Sequence, residues 1–307
     1  MDNTMQNLLE KVRYGEPVNR GNLTLYPLFV DVPDETSSYL LLEEAMKKGC
    51  LEVEEMSESG NVNKIIITNQ SDQPVLILDG DEIIGAKQNR IVNASILVAA
   101  GDRREVPVSC VEKGRWSKDS RQFTESGAFG YSTLRGQKSR QVYDSLKQSR
   151  QYNADQGAIW AELDRKQSTM STKSETGAMH SIYLQYHAEL ENIASTLEPL
   201  EGQKGIAVFI NNKFVCIDLF EHPEILKKLW KKLLKSYAME ALEYVAELVR
   251  IEATDLDVII NKLKSCSYDS YPSVGLGLDL RISDQGLVGS GLTLEKSLLH
   301  LSIFKAD

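Results

Sequence analysis

Two short blocks hold most of the side chains equipped for chemistry. In "GDEIIGAKQNRIVNASILV" the acids Asp81 and Glu82 precede Lys87, Gln88, Asn89 and Arg90, which interrupt an otherwise apolar stretch. In "SCVEKGRW" an apolar run ends in Cys110, Glu112, Arg115 and Trp116: a thiol, a carboxylate, a guanidinium and an indole. This mixture suits a nucleotide. The indole stacks on a base, the guanidinium faces phosphate, and a carboxylate whose pKa is raised by burial takes a proton from water. Glu82 and Glu112 are therefore the candidate catalytic carboxylates, and Gln88, Asn89, Arg90, Arg115 and Trp116 the candidate ligand-binding residues.

The elements that must position these residues read as strands. If residues 87–97 form one strand, alternation puts Gln88 and Arg90 on the face of Val92, Ala94 and Ile96, and leaves Lys87 and Asn89 to face water. An arginine on a core face needs a carboxylate or a ligand anion, because an unpaired buried charge is costly. Asp79, Asp81, Glu82 and Glu112 are near enough in sequence to supply the carboxylate. A structural bridge and a ligand clamp fit this pattern equally. Taken singly, Cys110 reads as a small buried residue and Trp116 as a core plug.

From Leu23 to Val108 short apolar or alternating runs are separated by turn clusters such as "NQSDQP" and "AAGDRR". That is an antiparallel β pattern, with one helix over residues 39–48 closed by Gly49. Residues 117–140 are polar and glycine-containing, and read as a loop or lid. Beyond them, Met179, Ile182, Tyr186, Leu190, Ile193 and Leu197 form one helical stripe, and a hairpin with an Asn211-Asn212 turn follows. Pro223 opens an amphipathic helix with a lysine-rich solvated face, and Thr254 with Asp257 forms a capping-box variant. The tail reads as three antiparallel strands, its glycines serving close packing, since no helix start follows them to make a phosphate loop. The expected class is α+β: a β-rich N-terminal part over 1–116, central helices, and C-terminal antiparallel strands within 141–307, packed as one globular unit.

Composition narrows the function. With 42% apolar residues the chain can build a real core, and a net charge of −9 disfavours nucleic-acid binding by phosphate neutralisation. No apolar run approaches the length of a membrane helix and no leader pattern is present, so a cytoplasmic location is expected. The four cysteines are widely spaced and read as reduced and mostly buried, and the four histidines lack zinc spacing. Neither a metal nor a cofactor is specified by any motif.

With "GDEIIGAKQNRIVNASILV", "VPVSCVEKGRW", "FINNKFVCIDLF" and "LLKSYAMEAL" taken together, the chain resembles the ARPP-1 domain family, whose name stands for ARG and rhodanese-phosphatase-superfamily-associated protein. The likeness runs from about Leu23 to the C terminus. Its blocks fall on Gly80, Asp81 or Glu82, Gly85, Lys87, Gln88 and Arg90, and on Cys110, Glu112, Arg115 and Trp116. The resemblance implies a setting in ADP-ribose or NAD metabolism. Two readings follow. In one, the blocks form a cleft that binds and processes an ADP-ribose- or NAD-derived nucleotide, with Arg90 and Arg115 on the pyrophosphate, Trp116 on adenine, and Gln88 and Asn89 on ribose or base. In the other, the same residues form a buried polar network in a non-catalytic module that recruits a partner enzyme or assembles as a homo-oligomer.

Overall fold

The computed structural model describes residues 4–31, 38–56, 61–116, 123–244 and 253–306. The architecture is α+β, and the sheets are antiparallel apart from one parallel pairing among the described residues, Leu40–Leu41 on Val75–Ile77. The chain divides into two compact units. One comprises Met1–Ser37, Glu189–Tyr271 and Leu278–Asp307, the other Ser38–Ala188 and Pro272–Gly277.

The first unit is built on a long sheet. Its path runs through Val12–Tyr14, Leu23–Val30, Gly205–Ile210, Lys213–Phe220, Ser297–Lys305, Leu287–Leu294, Leu278–Asp284 and Asp269–Pro272. Asn211 and Asn212 turn the Gly205–Phe220 hairpin with φ of 46° and 62°, the left-handed pair that a tight two-residue turn demands. The helix Pro223–Ala241 carries Pro223 in its first turn, as its sequence predicts, although Lys232 of its lysine face is buried. Thr254, expected to cap a shorter helix, lies within the helix Ala253–Ser265, and Val245 of the helical stripe lies outside the described residues. Alternation in the tail gives Leu280, Ile282, Leu301 and Ile303 to the core, while Gly289 lets neighbouring strands close up.

The second unit positions the two chemical blocks. Its larger sheet runs Phe123–Phe129, Asp81–Gly85, Arg90–Val92, Arg103–Cys110, Lys64–Asn69 and Leu51–Glu55. A smaller sheet holds Ile96–Val98, Val75–Ile77 and Leu40–Leu41. Val53, Ile65, Ile77, Ile83, Val92, Ile96 and Val106 share one buried apolar cluster, which is where the β-branched runs of this half were expected to go.

Several expectations are corrected. Residues 87–97 are not one strand: Gly85 and Ala86, at φ of 117° and 44°, reverse the chain, so Lys87 to Asn89 lie in the turn between Asp81–Gly85 and Arg90–Val92. Residues 93–95 then break the extended backbone, and Ile96–Val98 joins the other sheet. The polar stretch expected as a loop to residue 140 contains the strand Phe123–Phe129 and the start of the helix Ser132–Ser149; residues 117–122 lie outside the described residues. That helix buries Arg135, Lys138 and Ser139 among Leu134, Val142, Tyr143 and Leu146, so charged and polar residues interrupt its apolar stripe. The helix expected over 39–48 shortens to Leu42–Lys47, with Gly49 beyond it at φ 65° as foreseen. The stripe from Met179 belongs to two helices, Met179–Gln185 and His187–Ala194, because Tyr186 leaves helical geometry at φ −100°, ψ 19°.

A Cβ on Gly289 would sit 2.2 Å from the Ser302 carbonyl oxygen and 2.7 Å from Ile303 Cδ1. Gly289→Ala is expected to cost about 1–3 kcal/mol in urea unfolding, the usual range for overpacking. Gly291→Ala, whose Cβ would meet only side-chain atoms at 3.2 Å or beyond and the His300 carbonyl at 3.4 Å, is expected to cost less.

Candidate functional site

The turn between Asp81–Gly85 and Arg90–Val92 is closed by its own polar groups. Asn89 Oδ1 accepts from the Gly85 amide at 3.3 Å, and the Asn89 amide donates to Glu112 Oε2 at 3.0 Å. Arg115 donates from Nε to Glu112 Oε1 at 3.0 Å, from Nη2 to Glu112 Oε2 at 2.6 Å, and from Nη1 to the Ala86 carbonyl at 2.8 Å. Its Nη2 also reaches Asn89 Oδ1 at 3.2 Å. The two sequence blocks therefore do come together. What they form is a closed network in which Arg115 holds the turn and Glu112 holds Arg115.

Strand pairing splits the remaining candidates between the two faces of the sheet. Ile83 pairs with Arg90 and Arg90 with Cys110, while Glu82 pairs with Ile91. Arg90 thus shares the face of Ile83, Val92 and Cys110, and Glu82 points to the other side. Arg90 is fully buried. Its partners are Gln88 Oε1 at 3.0 Å, the Cys110 sulfur, and at 3.4 Å both Glu55 Oε1 and the Asn61 carbonyl. The ionic partner is Glu55, from a distant strand, and none of the nearby acids that the sequence suggests. Lys87 and Asn89, expected at the surface, are buried as well. Trp116 is no core plug: it is 47% exposed, with Lys87 Nζ 5.2 Å and Arg90 Cζ 5.7 Å from its ring centre.

On the opposite face Glu82 is fully buried and meets a residue that sequence spacing did not single out. Its Oε2 lies 3.1 Å from His180 Nδ1, and among the described residues its Oε1 has no hydrogen-bond partner. The His180 side chain is 22% exposed, so this imidazole links a buried carboxylate to the surface. His180 stands in the first turn of Met179–Gln185, one turn before Tyr183, whose hydroxyl donates to the Phe129 carbonyl. No local spacing marks His180 as the partner of a carboxylate 98 positions away. Further charges lie buried nearby in sequence: Lys138 pairs with Asp79 and donates to the Val92 carbonyl at 2.8 Å, and Lys166 Nζ sits 4.5 Å from the Tyr131 ring centre. No group of three or more His, Cys, Asp or Glu among the described residues is disposed to hold a metal ion. The cysteines form no disulfide, and burial pushes the Cys110 thiol up to about 11, the reverse of nucleophilic activation.

His180 and Glu112 are shifted in opposite senses. The hydrogen bond to Glu82 raises the pKa of His180 against the effect of burial, with further help from the charges of Glu82 and Glu112. Its contribution to stability is complete below the ordinary value of 6.5 and fades as pH rises through the raised one. For Glu112, burial acts upward, but hydrogen bonds from Arg115, the Asn89 amide and Thr176 outweigh it and hold the carboxyl below 4.5. That contribution is present above 4.5 and is lost as pH falls through the lowered value.

A family model described as "ARG and Rhodanese-Phosphatase-superfamily-associated Protein domain", ARPP-1, matches residues 11–304. The chain belongs to the ARPP-1 domain family. No curated protein and no solved structure matches it. The ARPP-1 match thus spans both compact units, and it includes both chemical blocks and the segment carrying His180. No described helix is long and apolar enough to cross a membrane.

Removing one partner of a buried ion pair strands the other, so Arg90→Ala, which leaves Glu55 uncompensated, is expected to cost about 3–5 kcal/mol in urea unfolding. Adding Glu55→Gln should recover part of that loss. A single-variant loss within about 0.5 kcal/mol, the range of an ordinary surface change, would show that the pair carries no such charge balance.

Proposed function

We propose that this ARPP-1 protein binds an ADP-ribose- or NAD-derived nucleotide and processes it by proton transfer through His180, with Glu82 as the buried carboxylate that orients and charges the imidazole. The observation that carries this reading is the Glu82–His180 pair: a fully buried carboxylate 3.1 Å from a partly exposed imidazole whose pKa it raises. An imidazole so held keeps one ring nitrogen on the carboxylate and offers the other for proton exchange, the arrangement a general acid or base requires. Glu82, not Glu112, is the carboxylate behind the acid-base group here, because each oxygen of Glu112 already accepts hydrogen bonds and its proton affinity is lowered. Trp116, with Lys87 beside it, is the stacking plate and ligand-facing surface of this reading; it lies on the Arg90 side of the sheet, away from Glu82 and His180, so binding and turnover are tested separately. Gln88, Asn89, Arg90 and Arg115 hold that surface in shape.

The second reading, a non-catalytic module that associates with other proteins, is favoured by a different observation: the guanidinium groups of both Arg90 and Arg115 are committed to partners within the chain. The family description, which names association with ARG and rhodanese-phosphatase-superfamily proteins, agrees with it. Isothermal titration with ADP-ribose, NAD and AMP separates the two. Under the first reading ADP-ribose or NAD binds, and Trp116→Ala weakens binding by roughly tenfold, as loss of a stacked base does. Glu82→Gln retains binding, loses turnover, and moves the His180 midpoint down. Turnover that needs neutral His180 rises with pH through its raised pKa. Absence of binding heat from protein shown to be folded would leave the module reading standing alone.

A further inference from the structure

The helix that carries His180 is not fixed by its own ends. Met179–Gln185 is only 7 residues long and Ala178 gives it no side-chain cap, so its placement must come from contacts outside it. Tyr183 supplies one such contact, to the Phe129 carbonyl, and others lie in the strap that precedes the helix. The Gly114 amide donates to the Thr176 carbonyl at 2.7 Å, and the Met179 amide donates to the Val111 carbonyl at 2.8 Å. Between these two bonds Thr176 Oγ1 donates to Glu112 Oε1 at 2.8 Å. The fit is close: a Cβ on Gly114 would lie 2.9 Å from Thr176 Cα, and Gly177 makes its turn at φ 63°.

We infer that Glu112 is a positioning residue for His180, acting through Thr176, an inference that rests on His180 being the proton-carrying group. The carboxylate is itself fixed by the Asn89 amide and by Arg115. A rigid acceptor thus stands at the end of one sequence block and sets the height of the strap, and the strap delivers the first turn of the helix to Glu82. The chain of contacts runs from the closed turn at Asn89 to Glu112, to Thr176, to Met179, and so to His180 facing Glu82. Glu112 also raises the pKa of His180 through space, as Glu82 does, so a substitution of Glu112 would mix charge with position. Thr176→Val removes the hydroxyl at nearly constant shape and leaves both carboxylates in place. It therefore tests position while leaving both charges in the chain, because Arg115 and the Asn89 amide still hold the Glu112 carboxyl down.

The readout is the NMR titration of the four histidines in the full chain, which needs no ligand. In Thr176→Val the His180 midpoint is expected to move down, further than those of the other three, as the imidazole withdraws from Glu82; Thr176→Ser, which restores the donor, is expected to titrate as the parent does. Gly114→Ala, which forces the strap outward at its backbone, should move the same midpoint down and serves if Thr176→Val does not fold. An unmoved His180 midpoint in Thr176→Val, or in Gly114→Ala where that variant takes its place, overturns the inference, and so does a Thr176→Ser midpoint that falls as far as that of Thr176→Val. Failure of ADP-ribose and NAD to bind leaves these midpoints untouched, so the positioning role and the nucleotide reading fail separately.

Discussion

A single buried carboxylate organises the chemical end of the second unit. Glu112 accepts from the Asn89 amide, from two nitrogens of Arg115 and from Thr176, all between 2.6 and 3.0 Å. Charge-assisted bonds of this kind are roughly twice as strong as neutral ones, and four of them answer the desolvation that burial of the anion would otherwise leave unmet. The consequence is geometric. One acceptor defines where a β-turn closes, where a guanidinium lies and where a separate strap crosses the end of the strand. Arg115 in turn uses the donors left over from Glu112 to satisfy the Ala86 carbonyl and Asn89 Oδ1, so the turn's exposed polar groups are consumed by the network that makes it.

The sheet beneath this network keeps its charges apart by alternation. Arg90 enters the apolar face, where Glu55, Gln88 and the Asn61 carbonyl receive it, and Glu82 leaves by the opposite face toward His180. Adjacent residues of neighbouring strands therefore feed two separate environments. One is closed and ionic, suited to holding shape; the other has an imidazole at its border with solvent, suited to moving a proton. A period-two strand can do this at a separation of one residue, which is why the acid at position 82 and the arginine at position 90 do not neutralise each other despite their closeness in sequence.

How far the sequence reveals this depends on the range of each interaction. The antiparallel tail, the Asn211-Asn212 turn, the proline-started helix and Gly49 were legible because each is decided by residues a few positions apart. Whether the two blocks meet was open in the sequence; the pairing of Arg90–Val92 with Arg103–Cys110 brings them together. The Arg90–Glu55 and Glu82–His180 pairs were not legible, since they join residues 35 and 98 positions apart and neither partner carries a local mark. The helix Ser132–Ser149 was missed for another reason: its buried face sets Arg135, Lys138 and Ser139 among Leu134, Val142 and Leu146, and inward charged residues break the apolar periodicity by which a helix is read. The strand reading of residues 87–97 failed at the reversal before it: Gly85 permits a turn there, but the left-handed backbone of Ala86 is one an alanine seldom adopts.

The arrangement also bears on what recognition by arginine would cost. For an anion to engage Arg115 fully, the guanidinium would have to give up Glu112, and the carboxylate would then lie buried with only the Asn89 amide and Thr176 to hold it. Breaking a buried pair from one side costs several kcal/mol, more than a partly exposed phosphate contact returns. For Arg90 the exchange is worse, because the group is fully buried and Glu55 has no other cation among its described partners. Under the nucleotide reading, affinity therefore has to come from groups that need not abandon a partner of opposite charge. Trp116 and Lys87 meet that condition, since stacking a base on the open part of an indole leaves every ion pair of the network intact. Under that reading the arginines of the two blocks act by making the surface rigid, and proton transfer is left to Glu82 and His180 on the opposite face of the same sheet.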